Sequence, residues 1–197
     1  MNVNYNNDDV QPWGVGDGTP HTRPYCIKSL CDCQNNEAGD SMAVHELAGT
    51  KVRKEDYIDL KAIAAAYHTT HPDVADPHQQ VRFGTSGHRG QAGNGSFTQD
   101  HVAAITQAVC NFRKQFGAEG PLFVGEDTHY LSKLAYETVL SVLAANGVTA
   151  YVDSVGDFVP TPSVSRAILR YNSHRGERLA DGLIITPSHN PPEHGGI

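Results

Sequence analysis

Apolar residues along this chain recur in two rhythms, one of helical spacing and one of short runs, and the two alternate from residue 81 onward. Upstream, Leu60, Ile63, Ala64 and Tyr67 share one helical face and predict a helix over 55–67. Residues 68–77, with Pro72 and Pro77, read as a loop, and a short strand follows at 81–83. Val102, Ile105, Val109, Phe112 and Phe116 then stand at spacings of three and four and predict a helix over 98–116. Gly117, Gly120 and Pro121 stop it, and a strand follows at 122–125. Leu131, Ala135, Val139 and Val142 form the stripe of a helix over 131–145, closed by Asn146-Gly147. A strand at 148–153 comes next. Thr161-Pro162 reads as N-cap and first residue of a helix running to about Tyr171. A strand at 182–186 completes the pattern β-α-β-α-β-α-β, which implies a layered α/β sheet.

Residues 1–41 break this order. They hold six Asn, and two Lys/Arg against six Asp/Glu. Pro12, Gly14, Gly16, Gly18, Pro20 and Pro24 interrupt any periodicity. The Gly14-Val-Gly16-Asp-Gly18 run follows no strand, so it reads as a flexible loop and not as a nucleotide fingerprint. Too little apolar surface is present to offset the ordering entropy, so a disordered extension is expected, with order beginning near Met42.

Composition narrows the class. The 197 residues suit one domain of ordinary size, or one domain and a tail. Hydrophobic residues at 39% and charged residues at 19% fit a globular protein. The net charge of −7 argues against a sequence-independent grip on nucleic acid or on an anionic membrane. No apolar run approaches the roughly 18 residues of a spanning helix, and the first thirty residues show no secretory pattern. The cytoplasm is therefore the default compartment, and no protein partner is evident. Cys31-Asp-Cys33, with Cys26 nearby, lacks the spacing and the second pair of a zinc knuckle. Cys110 falls in a helical pattern and reads as a small core residue.

Candidate chemistry gathers after the strands, because ligands in open α/β sheets bind outside the strands' carboxyl ends. The loop Gly84-Thr85-Ser86-Gly87-His88-Arg89-Gly90 suits a phosphate. Its glycines admit close backbone approach, Thr85 and Ser86 add hydroxyls, and Arg89 offers a planar fork. A plain glycine-rich turn is the equally open alternative. In Thr186-Pro187-Ser188-His189-Asn190-Pro191-Pro192, prolines would hold Ser188 in one orientation, or the hydroxyl would only satisfy a neighbouring amide. A serine hydrolase fits badly, since Thr186 and Asn190 stand where a nucleophile elbow needs glycines. Asp127-Thr128-His129 either orders the crevice, contacts a sugar or starts a helix, and Asp127 or Thr128 as the cap is the preferred reading. Most of the eleven histidines are scattered singly and need no function.

The two loops together resemble the α-D-phosphohexomutase superfamily, and most closely its bacterial phosphoglucomutase branch. Val81-Arg82-Phe83-Gly84, Gly125-Glu126-Asp127-Thr128-His129, Leu143-Ala144-Ala145-Asn146-Gly147-Val148, Pro160-Thr161-Pro162 and Ala180-Asp181-Gly182 add to the likeness, which runs from about Met42 to Ile197. The resemblance implies a three-layer α/β/α sandwich on a mixed four-stranded sheet, the first domain of such enzymes. It implies interconversion of glucose 1-phosphate and glucose 6-phosphate through a phosphoserine at Ser188 and a bisphosphate intermediate. His189 would assist proton transfer or contact substrate. Thr85, Ser86 and Arg89 would brace phosphate, and Asn190 would shape the loop. One Mg²⁺ would bind the phosphate on Ser188, with glucose 1,6-bisphosphate as activator and sugar phosphates as partners. The remaining metal ligands would be aspartates of a second domain. Family members are several-domain proteins of more than twice this length, so the chain is expected to be an N-terminal piece, inactive alone. Mutases of mannose or glucosamine phosphates are the nearest alternative, and a non-catalytic phosphate-binding module is the alternative of another class.

Overall fold

The computed structural model describes residues 47–84, 86–173 and 178–197. The expected extension 1–41, the start of order near Met42 and the loop residue Thr85 lie outside the described residues. The chain divides into two units, the first ending at Tyr57 and the second comprising Ile58–Ile197. In residues 47–57 the one regular element is a 3-10 turn at Lys54–Asp56.

The second unit opens with α1 (Leu60–Thr69), whose N-cap Asp59 accepts the Lys61 and Ala62 N–H groups, both at 3.0 Å. This cap starts the helix at Leu60 and not at residue 55, because a side chain that satisfies the first free amides fixes the boundary. No strand forms at 81–83. There the Arg82 N–H donates to His88 Nδ1 (3.2 Å) and the Gly84 N–H to the Gly87 carbonyl (3.1 Å), so local partners take the place of a ladder. The strand instead is β1 (Arg89–Gln91), followed by α2 (Gln99–Phe116), β2 (Leu122–Glu126), α3 (Tyr130–Ala145), β3 (Ala150–Tyr151), α4 (Thr161–Asn172), β4 (Asp181–Ile185) and β5 (His194–Gly196).

Strands β3-β2-β4 form a parallel sheet, and β1 and β5 form an antiparallel pair. The Thr186 N–H, just past β4, donates to the Gly196 carbonyl at 2.9 Å and links the two ladders. Strand directions are mixed, as expected, but divided between three parallel strands and this pair. Along β2 and β4, Leu122, Val124, Leu183 and Ile185 are buried with Leu131, Ala135, Val139 and Leu143 of α3 and Val102 and Cys110 of α2. Period-two alternation puts Phe123, Gly125, Gly182 and Ile184 on the opposite face. There α4 covers the sheet, so close that a Cβ on Gly125 would meet Val164 and one on Gly182 would meet Ile168. Helices thus lie on both faces, giving the α/β/α layering.

Two expected core positions are outside it: Phe112 and Phe116 are 60% and 65% exposed and lie against each other with ring centroids 4.2 Å apart and planes tilted by 32°. The buried turn of α2 carries Arg113 instead, which reaches the Gly120 carbonyl and pairs with Asp181. Among the described residues no helix is long and apolar enough to cross a membrane.

Candidate functional site

The parallel register of β2 and β4 ends with Glu126 opposite Ile185. The next residues, Asp127 and Thr186, are therefore neighbours, and the Thr186 hydroxyl donates to Asp127 Oδ2 at 2.5 Å. Thr186 Oγ1 in turn accepts the Ser188 N–H at 2.8 Å, closing a short turn that presents Ser188 at the surface. Ser188 has φ +68°, the left-handed region that non-glycine residues rarely adopt. Pro187 is fully buried behind it.

The glycine loop reaches the same edge through the other ladder. Arg89 pairs with Gly196, and His88 and Ile197 exchange backbone bonds at 2.9 and 3.0 Å. Gly196 thus stands between Arg89 on one side and Thr186 on the other. At one strand spacing each, their backbones are ~10 Å apart. The Arg89 guanidinium donates to Ser86 Oγ at 3.1 Å, so these two expected phosphate ligands are already paired. Both are exposed, as is His189, whose Nδ1 lies 3.4 Å from Ser188 Oγ. The half-buried Asn190 donates through its amide to His194 Nδ1 at 3.1 Å, and Gln91 reaches the other nitrogen of that ring at 2.6 Å. The sequence reading of the two loops as one crevice thereby acquires a ladder that joins them.

Asp127 is the hub that sequence reasoning placed elsewhere. It does not cap α3; His129 occupies that position. The Asp127 carboxylate accepts four hydrogen bonds: Ser132 Oγ (2.6 Å) and His129 N–H (3.0 Å) on Oδ1, Thr186 Oγ1 (2.5 Å) and His129 Nδ1 (2.9 Å) on Oδ2. Burial pushes this carboxyl up, but the bonds from Ser132, Thr186 and His129 outweigh it and hold the group below its ordinary value. His129 Nε2 lies 3.0 Å from the Asn190 carbonyl oxygen. Asp127 and His129 thus tie the end of β2 to the loop that carries Ser188, and neither Asp127 nor Thr128 is the cap of α3. Gln91 and His194 gave no sequence signal, since the short strands that carry them lack an apolar pattern.

Among the described residues no group of three or more His, Cys, Asp or Glu side chains could hold a metal ion. Ser188, once phosphorylated, would offer a Mg²⁺ ion phosphate oxygens only, against the roughly six ligands of its octahedral shell. The donors here do not by themselves fit a resident magnesium site.

A family model described as phosphoglucomutase/phosphomannomutase, alpha/beta/alpha domain I, matches residues 80–197. A phosphoglucomutase of Komagataeibacter xylinus is 47% identical over 154 residues, covering 78% of this chain and 28% of the relative. A phosphoglucomutase/phosphomannomutase of Thermococcus kodakarensis is 36% identical over 116 residues, covering 58% of this chain and 23% of its own length. A phosphoglucosamine mutase of Synechococcus sp. WH7803 is 37% identical over 130 residues, covering 64% and 25%. The chain spans about a quarter of the length of these curated relatives. Two loops on one sheet edge, α/β/α layers around them and a family match over both loops lead to one conclusion: the chain belongs to the phosphoglucomutase/phosphomannomutase family, over its α/β/α domain I.

Proposed function

We propose that this chain is the phosphoserine-bearing domain of a phosphoglucomutase, with Ser188 as the phosphoryl carrier. The observation that supports this most is Ser188 itself, exposed and in a left-handed turn, on a loop laddered to the one that carries Arg89. In the forward step the bond from Ser188 Oγ to phosphorus breaks and a bond from a sugar hydroxyl oxygen forms. The sugar proton leaves and Ser188 Oγ regains one, and His189 Nδ1 lies 3.4 Å from that oxygen. Such transfer depends on positioning and charge neutralisation, which the Arg89 fork and the Ser86 hydroxyl would supply around a phosphate, with Thr85 beside them. Asn190 holds the loop.

A Mg²⁺ ion would meet the described residues only through the phosphate on Ser188. Glucose 1,6-bisphosphate is the proposed phosphoryl source. A cytoplasmic location belongs to this reading, since charged sugar phosphates do not pass a lipid core. The phosphoglucosamine mutase relative keeps an amino sugar phosphate open as the substrate.

The test is incubation of the protein with glucose 1,6-bisphosphate and Mg²⁺, followed by peptide mapping. One phosphoryl group on Ser188, absent from Ser188→Ala, is expected. No phosphoryl uptake together with phosphate binding would leave a non-catalytic binding module. A fluorophosphonate adduct on Ser188 would favour a hydrolase.

A further inference from the structure

We propose that Asp127, Thr186 and His129 form a positioning unit that imposes the left-handed backbone of Ser188 and so aims its hydroxyl for phosphoryl transfer. The functional half of this inference rests on Ser188 being the carrier; the structural half does not. Ser188 is the one non-glycine residue with positive φ among the described residues. Serine has no intrinsic preference for that region, so its surroundings must impose it.

They do so through a chain of bonds with a fixed direction. Thr186 has one hydroxyl proton, and it goes to Asp127 Oδ2. The oxygen is left as an acceptor, and it takes the Ser188 N–H. That direction holds because Asp127 is an acceptor only. Its two oxygens offer about four lone-pair sites, and four donors fill them: Ser132 Oγ, His129 N–H, His129 Nδ1 and Thr186 Oγ1. An asparagine there would turn N–H groups toward donors. His129 then spans from Asp127 to the Asn190 carbonyl, two residues beyond Ser188. The loop is gripped at Thr186, at the Ser188 amide and at Asn190, while the Ser188 side chain stays at the surface. Asp127 and Thr186 directly follow the ends of two adjacent parallel strands, so the unit is anchored at the sheet edge from which the serine loop leaves.

Two readouts on the full chain test this. The first is backbone amide hydrogen exchange at Ser188, which is independent of any reaction. The second is the rate of phosphoryl uptake by Ser188 from glucose 1,6-bisphosphate. Thr186→Val keeps the volume and removes the hydroxyl. It is expected to raise Ser188 exchange several-fold and to slow uptake roughly 10- to 100-fold, the scale of an ångström-level misplacement. Thr186→Ser, which keeps the hydroxyl, should recover most of both, a rescue that a purely packing role would not give. Asp127→Asn should resemble Thr186→Val. Unchanged exchange in Thr186→Val overturns the proposal, and so does raised exchange with uptake at the wild-type rate. If the wild-type chain takes no phosphoryl group, the carrier reading falls and the exchange comparison alone decides the positioning unit. If Thr186→Val does not fold, Asp127→Asn against Thr186→Ser makes the same comparison.

Discussion

His88 shows how a single residue acquires its chemistry from burial. It is 3% exposed, stacked between Phe97 and His101, with Nε2 donating to the Ser96 carbonyl at 2.8 Å and Nδ1 accepting the Arg82 N–H. Burial lowers its pKa, against a smaller opposing pull from the Arg82 and Ser96 carbonyls, which accept from the protonated ring. The unfolded ring takes up a proton near pH ~6.5, the folded ring only at lower pH. The unfolded state therefore binds more protons in that window, and stability falls as pH drops from about 6.5 through the folded value, by up to ~1.4 kcal/mol per pH unit. Asp127 loses its contribution only further down, below the ordinary carboxylate value, because its folded pKa is lowered. Urea unfolding of wild type and His88→Gln between pH ~7.5 and ~5 checks this. The variant should show the shallower slope, and equal slopes would refute the assignment.

At the scale of elements, the contact between α4 and the sheet depends on side chains that are missing. Val164 Cγ2 would lie 2.7 Å from a Cβ on Gly125, and Ile168 Cδ1 2.6 Å from one on Gly182. The two clashes differ in kind. Val164 is β-branched and stiff within the helix, whereas Ile168 Cδ1 is the far end of a longer side chain. Gly125→Ala should thus cost about 1–3 kcal/mol through overpacking. Gly182→Ala should cost less than Gly125→Ala, toward the lower end of that range, because Ile168 can turn away and only the Phe123 carbonyl, 3.1 Å from the added Cβ, has to give slightly, with thermal unfolding of the two variants as the measurement. The sequence showed helices α2, α3 and α4 and strands β2 and β4 to within two residues, because long periodic stripes and the Gly117 and Asn146-Gly147 stops are local signals. It hid β1 and β5, whose residues Arg89-Gly90-Gln91 and His194-Gly195-Gly196 carry no apolar alternation.

Over the whole molecule, Arg113 ties distant pieces together. From the last turns of α2 it reaches the Gly120 carbonyl ahead of β2 and Asp181 at the start of β4. Its side chain is 5% exposed while that of Asp181 is 43% exposed, so solvent screens the pair in part. Arg113→Met leaves the Gly120 carbonyl and Asp181 without their donor. It should cost about 2 kcal/mol, below the ~3–5 kcal/mol of a fully buried broken pair. The shift in urea midpoint measures it. Asp181→Asn, which keeps a polar partner at the more exposed end, should cost less. A larger loss in Asp181→Asn than in Arg113→Met would contradict this account.

The α/β alternation, the family likeness and the two loops that carry Ser86, Arg89, Ser188, His189 and Asn190 are legible from the order of residues alone. These depend on local spacing and on residue types that neighbours in the chain define. It takes the packed sheet to bring Asp127 to Thr186 and to set Arg89 across Gly196 from the serine loop. Both juxtapositions follow from strand register, which is fixed by packing between residues about sixty or more apart in the chain, and no local pattern encodes it. The exposure of Phe112 and Phe116 was decided the same way: the stripe on α2 predicted an apolar face, and the loop before β2 and the start of β4 selected an arginine to fill it.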